Sequence, residues 1–388
     1  MTDLAAELAA ISGAGLERRR RIVETAQGPR VTVDGHDVVL LCSNDYLGLA
    51  AHPALAAAAA DAAVRWGTGA GASPLVSGHM TPHRQLEQQL AAFKGYDACL
   101  LFGSGFLANT GVIAALAGPG DVVLSDALNH ASIVDGCRLS RAETIIYAHN
   151  DLAGLERGLH QAAGRDAVIV TDAVFSMDGD VAPLAGIVEL ARRHGARVVV
   201  DEAHATGVLG PGGRGLVAEL GLEDGVDVIT GTLGKALGSY GAFVCCRTET
   251  AQFLVNRARS LIFSTALPPT VVASALAALE LLVDDSALVG RLGANAQLLR
   301  AELAAAGLAV EAGTMPIIPL LVGAPETAVA ISAEALARGA FAQAIRPPTV
   351  PDGTSRLRLA VSAAHTADDL GRAAAAISAA APLRFTVR

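Results

Sequence analysis

Short β-branched runs and longer helical stretches take turns through the middle of this chain, and that alternation restricts the fold more than any other feature. Strands read at 98–102, 121–125, 144–148, 167–172, 197–201, 227–231 and 242–246, with helical patterns at 85–93, 106–116, 133–140, 152–162 and 184–194 set among them. Strand, crossover helix and next strand is the grammar of an α/β domain with a largely parallel sheet. The expected architecture is a mixed, mostly parallel seven-stranded sheet, ending near the Pro268-Pro269 break. From about residue 284 the order changes to a helix, a proline-punctuated segment, a strand at 356–361 and a last helix, which reads as a smaller α+β domain. A chain of 388 residues exceeds one ordinary core, so a division into an N-terminal segment (1–40), a large domain (41–283) and a small domain (284–388) is expected.

Composition removes several function classes. Hydrophobic residues make up 52% of the chain, but much of that is alanine, as in 54–63, which favours helix without implying a bilayer. The richest apolar run, 271–283, is interrupted by Ser274 and Glu280 and is too short to span a membrane. The basic residues near the start follow the apolar ones instead of preceding them, the wrong order for a secretory signal. Five cysteines without CxxC spacing read as reduced thiols, most of them buried, in a cytoplasmic chain. A net charge of -9 argues against general nucleic-acid binding. The run Arg18, Arg19, Arg20 and Arg21 is the exception, readable as a solvated helix face or as a contact for anions.

In parallel sheets, ligands gather at the carboxyl ends of strands. Five loops at such ends carry polar groups here: Gly103-Ser104-Gly105, Asn129-His130, Phe175-Ser176, Asp201-Glu202-Ala203-His204 and Thr232-Leu233-Gly234-Lys235. Asp201 ends a triple-valine strand, so it is buried and needs a partner to stay ionised. A protonated heterocyclic nitrogen would meet that need, and so would a metal bound by Asp201 and His204. The lack of a nearby cysteine or an HExxH motif, and a lysine one strand later, disfavour the metal. The Gly-Ser-Gly turn before Phe106 suits an anion at a helix N-terminus, and the Thr232 hydroxyl suits the same anion. Of 29 basic side chains only Lys94 and Lys235 are lysines. Lysine, unlike arginine, becomes a nucleophile and base once its pKa is lowered. Lys235 sits among glycines and hydroxyls, with room for something flat.

Taken with Ser43-Asn44-Asp45-Tyr46-Leu47-Gly48-Leu49, Asn129-His130-Ala131-Ser132 and Val174-Phe175-Ser176-Met177-Asp178-Gly179-Asp180, these segments resemble the α-oxoamine synthases. Those are fold-type I pyridoxal phosphate (PLP) enzymes that join an amino acid to an acyl thioester with loss of carbon dioxide. The resemblance runs from about residue 15 to 380. The double proline of Arg346-Pro347-Pro348-Thr349 resembles the branch that condenses L-alanine with a pimeloyl thioester for biotin synthesis. Glycine-using relatives that make aminoketobutyrate or aminolevulinate usually carry an aromatic-proline pair there. Two positions depart from the family pattern: Asp172 stands where a longer acid is common, and Ala205 where glycine is usual.

The resemblance implies roles. Lys235 would form the Schiff base with PLP and then act as base at Cα. Asp201 would pair with the pyridine nitrogen and His130 would stack on the ring, although it also reads as a helix cap. His204 and Ser176 would bond the phenolic oxygen, and Gly105, Phe106 and Thr232 the phosphate. Ser264 and Thr265 would reach the phosphate of a neighbouring subunit in a homodimer. Arg358 would clamp the amino-acid carboxylate, assisted by Asn44. Arg18, with Arg20 or Arg21 as alternatives, would take the distal carboxylate of the pimeloyl group, and Thr349 would also line the substrate site. No metal is expected.

Overall fold

The computed structural model describes residues 3–285 and 287–381, which fall into two compact units. One unit comprises Leu49–Ser176 and Asp180–Val289, and the other Met1–Gly48, Met177–Gly179 and Gly290–Arg388.

The first unit is built on a seven-stranded sheet. Across it the strands are Ala98–Phe102, Ala242–Cys246, Val228–Thr232, Arg197–Asp201, Ala167–Asp172, Val122–Asp126 and Glu143–Tyr147. Ala242–Cys246 runs antiparallel to both of its neighbours and the remaining pairings are parallel. Central strands such as Ala167–Asp172 are buried along their whole length, which explains why they read as continuous apolar runs and not as alternating ones. Val170, Val199 and Val228 are each 1% exposed or less, and burial of such a side chain contributes about 1.5–3 kcal/mol.

Register fixes which loops meet at the carboxyl edge. Phe102 and Thr232 both align with Ala242, so the Gly103-Ser104-Gly105 turn and the Lys235 loop leave the sheet close to each other. Asp201 aligns with Thr230 on one side and Asp172 on the other. The predicted strand positions agree with the structure to within one residue at each end.

The two lysines have separate fates. Lys94, at the end of helix Thr81–Lys94, is fully buried. Its Nζ donates to Glu202 Oε2 at 2.5 Å, Thr206 Oγ1 at 2.9 Å and the Arg214 carbonyl at 2.6 Å. Glu202 is also fully buried, and its Oε1 accepts from the Val217 amide at 2.8 Å. This ion pair fastens the segment that follows Asp201.

The second unit holds two three-stranded sheets. His36–Leu40 pairs antiparallel with Arg30–Val33 and parallel with Ala340–Phe341. Ser355–Ala360 lies between Ile317–Gly323 and Gln343–Ile345, antiparallel to both. Ile318, Ile331, Leu357, Leu359, Leu370 and Ile377 form its core with helices Pro325–Ala337 and Ala367–Ala380. Strand Ile317–Gly323 escaped the sequence reading because Pro319 looks like punctuation. It lies on a sheet edge, where a residue without an N–H is tolerated.

The arginine run does not form a helix face. The N-terminal helix, Leu4–Gly13, ends before it. Arg19 pairs with Glu17 at 3.3 Å and Arg21 with Asp34 at 2.9 Å.

Candidate active site

Within the first unit, five of the seven strands deliver parts of a polar cluster from their carboxyl ends. After Ala98–Phe102, Ser104 caps helix Gly105–Leu116, its Oγ accepting from the Leu107 amide at 3.2 Å. A Cβ built on Gly105 would meet nothing within 4 Å, and Phe106 is 44% exposed. An open helix N-terminus of this kind binds anions.

At the end of Arg197–Asp201, the Asp201 side chain is buried. Its Oδ1 accepts from the Ala203 amide at 2.7 Å and its Oδ2 from Asn109 Nδ2 at 2.6 Å. His204, also buried, places Nε2 2.9 Å from Lys235 Nζ. The Lys235 loop is closed by its own backbone: Gly238 N–H donates to the Lys235 carbonyl at 2.9 Å and Ser239 N–H to Leu233 at 2.8 Å. Gly238 has φ +58°, and an added Cβ would lie 2.6 Å from the Ala50 nitrogen, so only glycine fits that turn.

The glycines around Lys235 do less than their sequence suggested. Gly231 is small because Phe243 packs where its Cβ would be, a matter of core packing. Open space lies at Gly105 instead. The Thr232 hydroxyl is engaged within its own loop, donating to the Gly241 carbonyl and accepting from the Gly234 amide, both at 3.1 Å.

His130 does cap the helix Ala131–Ser140, as its second reading required: Nδ1 accepts from the Ser132 amide at 3.2 Å and stands 2.7 Å from Ser132 Oγ. Burial holds its imidazole below the ordinary histidine value; Asp201 opposes that shift and Lys235 reinforces it. Its backbone N–H donates to Asp172 Oδ2 at 2.8 Å. Ser176 is half-buried on the loop after Ala167–Asp172, and that loop is closed by the Phe175 amide on the Asp180 carbonyl at 2.9 Å. Ser264 and Thr265 line a cavity of about 240 Å³ together with His79, His83 and Ser260.

Asp172 is a second buried acid beside Asp201. Burial first, and then the Asp201 charge, push its carboxyl well above the usual range, against the His130 amide and Lys235. Its carboxyl therefore keeps a proton to higher pH than a free aspartate would. An acid that is neutral in the fold but ionised in the unfolded chain makes stability fall as pH rises above the unfolded pKa. Asp172→Asn keeps an acceptor for the His130 amide and removes that slope. Its melting temperature is expected to exceed the parent's by about 2–4 °C at about pH 8 and by less at about pH 5. Equal gains, or a loss at both pH values, would contradict the assignment.

In the second unit, Arg358 is buried on strand Ser355–Ala360. Its Nη1 donates to Asn44 Oδ1 at 3.1 Å and its Nη2 to Tyr46 Oη at 3.3 Å. Arg18 places Nη2 3.5 Å from Thr349 Oγ1, and Arg346 donates to the carbonyls of Gly15 and Glu17 beside it. Of the run, Arg18 is the one lying against Thr349.

Two site residues were missed. Tyr46 lies two positions from Asn44 in a segment already singled out. Asn109 carried a signal that went unused, a carboxamide inside the apolar helix stretch 106–116, where an amide requires hydrogen-bond partners.

The donor set suits PLP: a primary amine, a buried carboxylate, an imidazole, and a helix N-terminus with room at Gly105. Comparisons with known proteins agree. The aminotransferase class I and II family matches over residues 36–377. The 8-amino-7-oxononanoate synthase of Anaeromyxobacter dehalogenans is 53% identical over 98% of this chain and 95% of its own length. A solved serine palmitoyltransferase from S. paucimobilis with a bound PLP–myriocin aldimine superposes with a TM-score of 0.92, at 33% identity, covering 97% of this chain and 96% of that one. The 8-amino-7-oxononanoate synthase of Francisella tularensis does so with a TM-score of 0.76 at 28% identity, covering 88% and 97%. This chain belongs to the aminotransferase class I and II family and, within it, to the 8-amino-7-oxononanoate synthases.

Proposed function

We propose that the chain condenses L-alanine with a pimeloyl thioester, on CoA or a carrier protein, to give 8-amino-7-oxononanoate, carbon dioxide and the free thiol for biotin synthesis. The observation that carries this is the Lys235 amine 2.9 Å from His204, in a chain 53% identical over 98% of its length to such a synthase. PLP, when bound, supplies the aldehyde that joins the amine and the electron sink that makes the Cα proton acidic.

The chain's own residues do the rest. Lys235 takes the Cα proton of alanine and returns one to Cα after carbon dioxide departs. His204 shares a hydrogen bond with that amine and so fixes where the proton moves. Asp201, held by Asn109 and the Ala203 amide, would keep the ring nitrogen protonated, and His130 would lie against the ring. Ser176 and His204 would hold the phenolic oxygen. Gly105, Phe106 and Thr232 would hold the phosphate, with Thr232 first giving up one of its loop contacts. Arg358 is assigned the alanine carboxylate, which a planar guanidinium fork suits, and Asn44 and Tyr46 restrain that guanidinium. Arg18 and Thr349 are assigned the far end of the pimeloyl chain.

The same reading makes the protein a cytoplasmic homodimer in which Ser264 and Thr265 serve the partner's phosphate. Five free cysteines, four of them buried, support a reducing compartment. Among the described residues no helix is long and apolar enough to cross a membrane.

Thiol release measured over a panel of amino acids and thioesters tests the proposal. The expected result is fastest release with alanine and pimeloyl-CoA. Faster release with glycine and acetyl-CoA, or with serine and palmitoyl-CoA, would contradict it.

A further inference from the structure

We propose that Asn109 is a positioning residue that orients the Asp201 carboxylate and, through Ser132, holds His130 in its neutral Nε2–H form. The proposal rests on Asp201 and His130 serving the cofactor site. Asn109 is 1% exposed on helix Gly105–Leu116. Its Nδ2 donates to Asp201 Oδ2 at 2.6 Å and to Ser132 Oγ at 2.9 Å, and its Oδ1 accepts from Thr230 Oγ1 at 2.8 Å.

The amide orientation is determined by chemistry. An ionised carboxylate only accepts, so turning Asn109 over would set its oxygen against that of Asp201. The His130 tautomer follows similarly. The Ser132 backbone N–H, which can only donate, points at His130 Nδ1, so Nδ1 carries no proton and a neutral ring bears its proton on Nε2. Ser132 Oγ, which is fully buried, accepts from Asn109 and passes its own hydrogen to Nδ1 at 2.7 Å. One carboxamide therefore links the acid to the imidazole, and Thr230 anchors it from the neighbouring strand.

The test compares the parent with Asn109→Leu, which keeps most of the volume and removes both donors, and with Ser132→Ala, which cuts the link to His130 but leaves the Asp201 bond. Two quantities are read: the dissociation constant of PLP from cofactor-free protein by absorbance titration, and the ¹⁵N shifts and titration of the His130 imidazole in cofactor-free protein. Asn109→Leu is expected to weaken PLP binding roughly ten- to hundredfold, the weight of a hydrogen bond to a charged group, and to shift the His130 Nδ1 signal. Ser132→Ala should shift His130 in the same way while changing PLP binding by less than about threefold.

Parent-like PLP binding and parent-like His130 signals in Asn109→Leu would overturn the inference. Should Asn109→Leu fail to fold, Thr230→Val replaces it, with smaller shifts in the same directions expected and no shift overturning the inference. A parent protein that binds PLP but prefers another amino acid would count against the proposed substrate and leave this inference standing.

Discussion

Replacing Lys235 with alanine is expected to lower thiol release from pimeloyl-CoA and alanine by roughly 10²- to 10⁴-fold, with the fold intact. The loop around Lys235 is held by backbone hydrogen bonds and by Gly238 against Ala50, neither of which uses the lysine side chain. In the proposed mechanism, loss of the amine removes the group that moves the Cα proton, and it leaves His204 without that partner at 2.9 Å. Arginine should not rescue it, because a guanidinium neither gives up its proton nor joins an aldehyde. Steady-state rates with a melting curve on the same preparation check both halves. Turnover near the parent's would refute the assignment.

The other lysine should fail in the opposite way. Lys94→Met would leave Glu202 fully buried without its cation. Removing one partner of a buried ion pair costs about 3–5 kcal/mol, whereas replacing both with apolar groups is often close to neutral. Lys94→Met should therefore lower the urea midpoint sharply, and the double variant Lys94→Met/Glu202→Leu should recover much of the loss. A single variant as stable as the parent would mean that the pair does not hold the Asp201 segment in place. At equal folded fraction, Lys94→Met should keep far more activity than Lys235→Ala.

These contrasts show how much could be read from residue order. The seven sheet strands were legible because each is a short apolar or β-branched run with a helical pattern or a turn beside it, and burial on both faces keeps central runs such as Ala167–Asp172 unbroken. Lys235, Asp201 and His204 were legible because each breaks a local expectation: a lone lysine among glycines, an acid ending a valine strand, a histidine three residues on. What stayed hidden depends on contacts between distant segments. Lys94 gives no local sign that it meets Glu202, 108 positions later. Asn109 meets Asp201 across 92 positions, and only its polarity on an apolar helix could have raised the question. Gly231 reads as space for a ligand until Phe243, on the neighbouring strand, occupies that space. Ile317–Gly323 carries a proline that only its edge position makes acceptable.

The Lys235 amine is proposed to be the group that joins the aldehyde of PLP. Borohydride reduction of PLP-saturated protein, followed by peptide mapping, tests it directly. A reduced pyridoxyl group on the peptide containing Lys235 is the predicted result. A label on Lys94, or on no lysine at all, would contradict it.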